Sequence, residues 1–126
     1  MNHLLPLLPV TYMASIYLLS SIPGHLPDNL MGTLYHGIAP GWQNLIHIPL
    51  YAGLTFCWIY VLAYFRVTKR NRLLLAFLLT ALWGILDEIH QTLVPGRYGS
   101  LSDMALNLSG TTMAVVYASR RRLRGT

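Results

Sequence analysis

The chain has little charge. Only 10% of its 126 residues are Asp, Glu, Lys or Arg, whereas about a quarter of a soluble domain is charged. Because 54% of the residues are hydrophobic, the composition excludes an ordinary soluble domain of this length. The chain also has a single cysteine, Cys57, which excludes an intramolecular disulfide. We interpret Cys57 as a small buried hydrophobic residue.

Four apolar runs are close to the length that a membrane-spanning helix needs, roughly 20 residues. They are about Leu4–Ser21, Leu45–Phe65, Leu73–Val94 and Leu101–Ser119. The first run lacks the basic region and the cleavage site of a secretory signal peptide, so we expect it to be retained. The sequence therefore predicts one all-α domain over residues 1–126, a polytopic membrane protein built as a four-helix transmembrane bundle.

Eight of the nine basic residues lie in two clusters beside helix ends, as positive residues do on the cytoplasmic side of a membrane. The clusters are Arg66, Lys69, Arg70 and Arg72, and Arg120, Arg121, Arg122 and Arg124. This pattern predicts cytoplasmic termini and a long first extracytoplasmic loop over Ile22–Asn44. The net charge of +5 is better explained by this orientation and by anionic lipid than by nucleic acid, which we do not expect as a partner.

The acidic residues all lie on the predicted outer side of the membrane. Because each charge placed in hydrocarbon costs about 2.5–3.5 kcal/mol, we expect these residues to face a site. They are Asp28, Asp87, Glu88 and Asp103. Residues four apart on a helix share a face, which pairs Asp87 with Gln91, Asp103 with Asn107, and His47 with Tyr51. The helical rise places Asp87 and Asn107 at similar depths. The spacing therefore predicts one polar pocket that opens outward, where Gly84 and Gly110 allow the helices to approach closely.

Roles for these residues follow from their chemistry. Asp87 or Glu88 is a candidate general acid or base, and Arg97 is a candidate ligand of a phosphate or carboxylate. The other candidate binding residues are His47, Tyr51, Gln91, Asp103 and Asn107. No metal or other cofactor is predicted, because Asp87-Glu88-x-His90 is not a recognised metal-ligand spacing. The alternative is a structural ion-pair network of Asp87, Glu88, Arg97 and Asp103, although buried ion pairs stabilise poorly.

Three motifs lie in the second half of the chain: Asp-Glu-x-x-Gln from Asp87, Pro-Gly-Arg from Pro95, and Ser100-x-x-Asp-x-x-x-Asn-x-x-Gly110. They resemble motifs of the VanZ-like family of small bacterial membrane proteins. Looser matches are His47-x-x-x-Tyr51 and the stretch Leu18–Gly24. The family often has Asp-Lys shortly before the histidine, where this chain has Gln43-Asn44.

The resemblance implies a role in the cell envelope, at the bacterial cytoplasmic (inner) membrane, and an influence on susceptibility to teicoplanin-type lipoglycopeptide antibiotics. It supplies no reaction. Two functions stay open: an enzyme that acts on a lipid headgroup or lipid-linked envelope precursor, and a non-catalytic protein that binds or shields such a molecule. Ion movement is less favoured, because the inner halves of the second and third helices look wholly apolar. A thin bundle of short helices is also compatible with a homo-oligomer.

Overall fold

The computed structural model describes residues 4–24, 37 and 44–121, and within these ranges all regular structure is α-helical. The helices are α1 (Leu7–Ser20), α2 (His47–Tyr64), α3 (Lys69–Gln91) and α4 (Leu101–Arg120). For the described part of the chain, the prediction of an all-α fold with four helices is confirmed. Most of the predicted first loop, including Asp28, lies outside the described residues, as do Arg122 and Arg124.

Two of the four helices, α2 and α3, are both long enough and apolar enough to cross a membrane. The third apolar helix, α1, has 14 residues, which corresponds to about 21 Å. These helices fit a membrane protein. That all four helices cross the membrane, and that both termini are cytoplasmic, remain predictions.

The helix α3 begins at Lys69, four residues before the apolar run that the sequence suggests, and ends at Gln91 rather than Val94. The first turn of α3 is helical because Lys and Arg are good helix formers. The same residues are charged, so a run of apolar residues does not include them. The boundary between loop and helix therefore lies inside the first basic cluster. Asp87, Glu88 and Gln91 still fall in the last two turns of α3.

The helices α2, α3 and α4 pack against one another, and α1 packs against α2 and α3. The contact between α2 and α4 is the most extensive. At one end of this bundle, the Lys69 ammonium donates hydrogen bonds to the carbonyl oxygens of Ser119 (2.8 Å) and Arg121 (3.3 Å). The described parts of the two basic clusters therefore meet at the same end of the molecule.

The inward faces of α3 and α4 are small or polar, and the outward faces of the helices are largely apolar. Fully buried positions include Thr55, Thr80 and Thr111, while leucines such as Leu74, Leu78 and Leu82 of α3 are about half exposed. In water such a distribution would leave a large apolar surface unburied. In a bilayer it is favourable, because helices there associate through small and hydrogen-bonding residues.

The inner halves of α2 and α3 are not wholly apolar, which corrects the expectation from the sequence. Thr55 and Thr80 are buried in the middle of the bundle, with their hydroxyl oxygens 3.3 Å apart. The Thr55 hydroxyl also donates to the Tyr51 carbonyl oxygen at 2.7 Å. An intrahelical bond of this kind satisfies the hydroxyl within its own helix. Arg72 is also buried on this face of α3.

Candidate functional site

Asp87 connects three helices through its carboxylate. The Ser20 hydroxyl of α1 donates to Oδ1 at 2.5 Å. The Tyr51 hydroxyl of α2 and the Gln91 amide of α3 donate to Oδ2 at 3.0 and 3.1 Å. Asp87 is only 4% exposed, so these three donors replace the water that a carboxylate would otherwise bind.

The Glu88 side chain faces a different helix, α4. Its Oε2 accepts the backbone N–H of Ser100 at 3.0 Å, and its Oε1 accepts the Asn107 side-chain amide at 3.3 Å. Because that amide donates to Glu88, the Asn107 carbonyl oxygen points to His47, whose Nδ1 lies 2.8 Å away and therefore donates. The chain of contacts from His47 through Asn107 to Glu88 joins α2, α4 and α3.

The structure brings these predicted residues together at one end of the bundle. Gln91 bonds Asp87, the residue with which it shares a helical face, and Asn107 bonds Glu88 across the helices. The side chains of Asp87 and Glu88 leave α3 in different directions, as expected from the 100° step between adjacent helical residues. The candidate acid and base therefore belong to two separate hydrogen-bond groups.

Among the described acidic residues, Asp103 is the one with a buried acceptor that has no partner. It lies in the first turn of α4, where the Ser100 hydroxyl caps the helix by accepting the backbone N–H groups of Ser102 (3.1 Å) and Asp103 (3.4 Å). Its side chain is 9% exposed, and Oδ1 is buried without a hydrogen-bond partner. Asp103 is also one of the ionisable neighbours of Glu88, together with His47 and Asp87.

Arg97 is bound to the end of α1. Its Nη1 donates to the carbonyl oxygens of Leu19 (3.2 Å) and Ser20 (3.1 Å). The last carbonyl groups of a helix lack partners within the helix, and a cation is favourable beside them. Within the described residues, the hydrogen bonds of Arg97 therefore do not support the predicted ion-pair network, and its role as a phosphate or carboxylate ligand stays a prediction.

The turn that contains Arg97 is fixed to α1 by backbone contacts as well. The Gly24 N–H donates to the Pro95 carbonyl oxygen at 3.1 Å. A Cβ atom at Gly24 would overlap the carbonyl group of Gly96, so this approach requires glycine. His90 adds a further contact to α1, since its Nε2 lies 2.9 Å from the Ser21 hydroxyl.

Sequence reasoning missed Ser20 and Ser21, the two serines at the end of α1. Ser20 bonds Asp87 and Ser21 bonds His90, yet neither was a candidate site residue. The available signal was the pair Ser20-Ser21 at the end of an apolar helix, within a stretch that already resembled the family. Helical periodicity does not show which neighbouring helix such a pair will meet.

Two glycines bring the polar helices together, as predicted. A Cβ atom at Gly84 would lie 3.1 Å from the Tyr51 ring and 3.5 Å from the Asn107 Cβ. A Cβ atom at Gly110 would overlap the carbonyl oxygen of Ile48. The close approach of α4 to α2 at Gly110 permits the bond between His47 and Asn107, which lies one turn away.

The chemistry of the assembled cluster is acidic and hydrogen-bonding. Three carboxylates, Asp87, Glu88 and Asp103, lie at this end of the bundle. Asp87 is fully engaged, Glu88 accepts two hydrogen bonds, and Asp103 keeps a free oxygen. Within the described residues, no group of three or more His, Cys, Asp or Glu is arranged to hold a metal ion.

Comparison with known families gives one result. The family model described as VanZ/LLP1 matches residues 5–122, a range that contains all four helices. Neither the curated proteins nor the solved structures include a match to the chain.

Proposed function

The chain belongs to the VanZ/LLP1 family, and from this premise we propose that it is a multi-pass protein of the bacterial cytoplasmic membrane that binds a polar headgroup on the extracytoplasmic side. The headgroup belongs to a lipid or to a lipid-linked envelope precursor. The binding site comprises Glu88, Asp103, Asn107 and His47, while Asp87 holds the helices that form it. Binding of this kind would connect the protein to the cell envelope and to lipoglycopeptide susceptibility.

The orientation is supported by the separation of charge along the bundle. The described basic residues of the two clusters lie where Lys69 contacts the end of α4, and positive residues mark the cytoplasmic end of membrane helices. The described carboxylates lie at the opposite ends of α3 and α4. A ligand at the carboxylates would therefore approach from the extracytoplasmic leaflet.

The proposal of binding rests on the unpartnered Oδ1 of Asp103. A buried acceptor without a partner costs about 1–3 kcal/mol, so a ligand that donates to it gains a corresponding amount. Glu88 adds a second carboxylate beside Asp103, and Arg97 is engaged by carbonyl oxygens of α1. The excess of negative charge selects a headgroup with an ammonium group, such as an aminophospholipid or an amine-bearing envelope precursor.

Binding fits the contacts better than catalysis at Asp87. A carboxylate that already accepts three hydrogen bonds has little capacity to take a proton from a substrate. A catalytic version of the proposal would use Glu88, whose Oε1 and Oε2 each accept one hydrogen bond. The structural alternative assigns the whole cluster to helix association and needs no ligand.

We expect Asp103→Asn to weaken binding of phosphatidylethanolamine by roughly 10- to 100-fold, because a charge-assisted hydrogen bond contributes about 1.5–3 kcal/mol. Asparagine preserves the size of the side chain and removes its charge. The measurement is a lipid titration of the purified protein by native mass spectrometry, with phosphatidylglycerol as the headgroup that lacks an amine.

Ser102→Ala serves as the control, because Ser102 is an exposed neighbour in the same helical turn. It should retain the preference for phosphatidylethanolamine. If Asp103→Asn changes thermal stability but leaves the affinity for both lipids as in the wild type, the structural alternative is correct and the binding proposal is wrong.

The proposed orientation predicts that a cysteine at Tyr98 is labelled from outside the cell. Tyr98 is 84% exposed in the turn between α3 and α4, so its replacement removes few contacts. In a Cys57→Ser background, Tyr98→Cys should react with a membrane-impermeant maleimide in intact spheroplasts. Arg70→Cys, exposed at the opposite end of α3, should react only after lysis. The reverse pattern would refute the extracytoplasmic location of the site.

A further inference from the structure

Arg72 is a buried cation that the proposed headgroup site does not use. It lies in the first turn of α3 and is 3% exposed. Its Nε and Nη2 atoms are buried and have no hydrogen-bond partner among the described residues. A guanidinium in this state has lost water without gaining acceptors, which is unfavourable unless something else supplies them.

Arg72 lies at the end of the interface among three helices. It shares a helical face with Ala76, four residues further along, and Ala76 packs with Ile59 of α2 and Ala118 of α4. The other basic residues described at this end are exposed or half-buried: Arg66, Lys69, Arg70, Arg120 and Arg121. Arg72 is the one whose guanidinium is enclosed.

No described carboxylate is within reach of Arg72. Asp87 lies 15 residues along the same helix, or roughly 22 Å, and Glu88 and Asp103 contact Ser100 at that distant end. The Lys69 ammonium is already bound to the carbonyl oxygens of Ser119 and Arg121. The charge at this end is therefore positive and lacks a counterion among the described side chains.

The start of α3 strengthens the case for an anion. Helix α3 has 23 residues, and the first N–H groups of a helix have no partners within it and present a partial positive charge. Lys69, Arg70 and Arg72 lie in that same turn, where basic side chains are unfavourable in the absence of an anion. A planar guanidinium matches two oxygens of a phosphate group.

We propose that Arg72 and the first turn of α3 form a phosphate-binding site at the basic end of the bundle. Its ligand is a phosphate group, supplied by an anionic phospholipid of the adjacent leaflet or by free phosphate. The site is separate from the headgroup site at Asp103 and selects the opposite charge.

The test compares Arg72→Gln with Arg70→Gln, which removes the same charge from an exposed position two residues away. Phosphatidylglycerol binding is titrated by native mass spectrometry. Arg72→Gln should weaken it roughly 10- to 100-fold, as expected for loss of charge-assisted hydrogen bonds in a buried site. Arg70→Gln should weaken it about fivefold or less, because exposed charges contribute little. Equal effects of the two variants, or no effect of either, would overturn the proposal.

Two further measurements identify the source of the phosphate. If inorganic phosphate alone raises the melting temperature of the wild type but not of Arg72→Gln, the site binds free phosphate. If only phosphatidylglycerol does so, the site binds the lipid. Asp103→Asn should leave both responses unchanged, so failure of the headgroup proposal is distinguishable from failure of this one.

A variant that keeps the positive charge covers the case in which Arg72→Gln does not fold. Arg72→Lys keeps a cation but loses the two-pronged geometry, so it should bind phosphatidylglycerol more weakly than the wild type. In an Asp103→Asn background, which removes the proposed amine-binding site, the protein should be stabilised more by phosphatidylglycerol than by phosphatidylethanolamine. Equal stabilisation by the two lipids, together with unchanged binding by Arg72→Lys, would refute the site.

Discussion

Replacement of Asp87 by leucine is expected to destabilise the protein by about 2–5 kcal/mol, because it leaves buried donors without an acceptor. The Tyr51 hydroxyl and the Gln91 amide would lose their bonds to Oδ2. The Ser20 hydroxyl is less affected, since it also contacts the Ile16 carbonyl oxygen at 2.9 Å. The measurement is thermal unfolding of the purified protein in detergent, followed by circular dichroism.

Two conservative variants separate the charge of Asp87 from its hydrogen bonds. Tyr51→Phe removes one donor while Asp87 keeps the others, so it should cost about 1 kcal/mol. Asp87→Asn keeps the side-chain size and should fall between Tyr51→Phe and Asp87→Leu. The combination of Asp87→Asn with Tyr51→Phe should cost less than the sum of the two single changes, because the residues are in contact.

A wild-type melting temperature for Asp87→Leu would contradict this assignment. It would mean that the free-energy cost of burying the Asp87 charge equals the stabilisation from its hydrogen bonds, as occurs for some buried ion pairs. Asp87 would then need a functional reason to be present, and Asp87→Leu would be expected to lose ligand binding without losing stability.

The sequence predicted which polar residues share a helical face, because the 3.6-residue repeat alone determines this. Asp87 with Gln91, and Asp103 with Asn107, are both buried on the inward faces of their helices. Their depth was also predictable, since the helical rise is constant. The contact of Asn107 with Glu88 and His47 agrees with that estimate.

The partners across helices were not predictable in the same way. The alternative hypothesis placed Arg97 in an ion-pair network with carboxylates, but Arg97 lies against carbonyl oxygens at the end of α1. The position of the turn depends on the close contact of Gly24 with Gly96, which has no signature in charge or hydropathy. Ser20 was missed for a related reason, because the packing of α1 determines whether its hydroxyl meets Asp87.

Hydropathy also does not predict which basic residues at the basic end of the bundle are buried. Arg72 was interpreted as part of a cytoplasmic loop, whereas α3 begins three residues earlier and buries it. A run of apolar residues shows where hydrocarbon surrounds a helix, but it does not show where the helix starts. The burial of Arg72 follows from its spacing to Ala76 and Thr80 on the packed face, which the structure alone identifies.

Gly110→Val is expected to destabilise the bundle by about 3 kcal/mol or more, because overpacking against backbone leaves no side chain that can move aside. The added Cβ would overlap the carbonyl oxygen of Ile48, so α2 and α4 would have to separate. Those two helices share the most extensive contact in the fold. Their separation would also break the bond between His47 and Asn107.

Two matched variants show whether this effect comes from the contact or from valine itself. Ser109→Val places the same β-branched side chain one residue earlier on the exposed face of α4, and it should be close to neutral. Gly84→Ala meets the Tyr51 ring at 3.1 Å, a side chain that can shift, and should cost less than Gly110→Val. Melting temperature and phosphatidylethanolamine binding are measured together. If Gly110→Val and Ser109→Val behave alike in both, the α2–α4 contact does not hold the site together, and the polar cluster must be maintained by Asp87 and its donors alone.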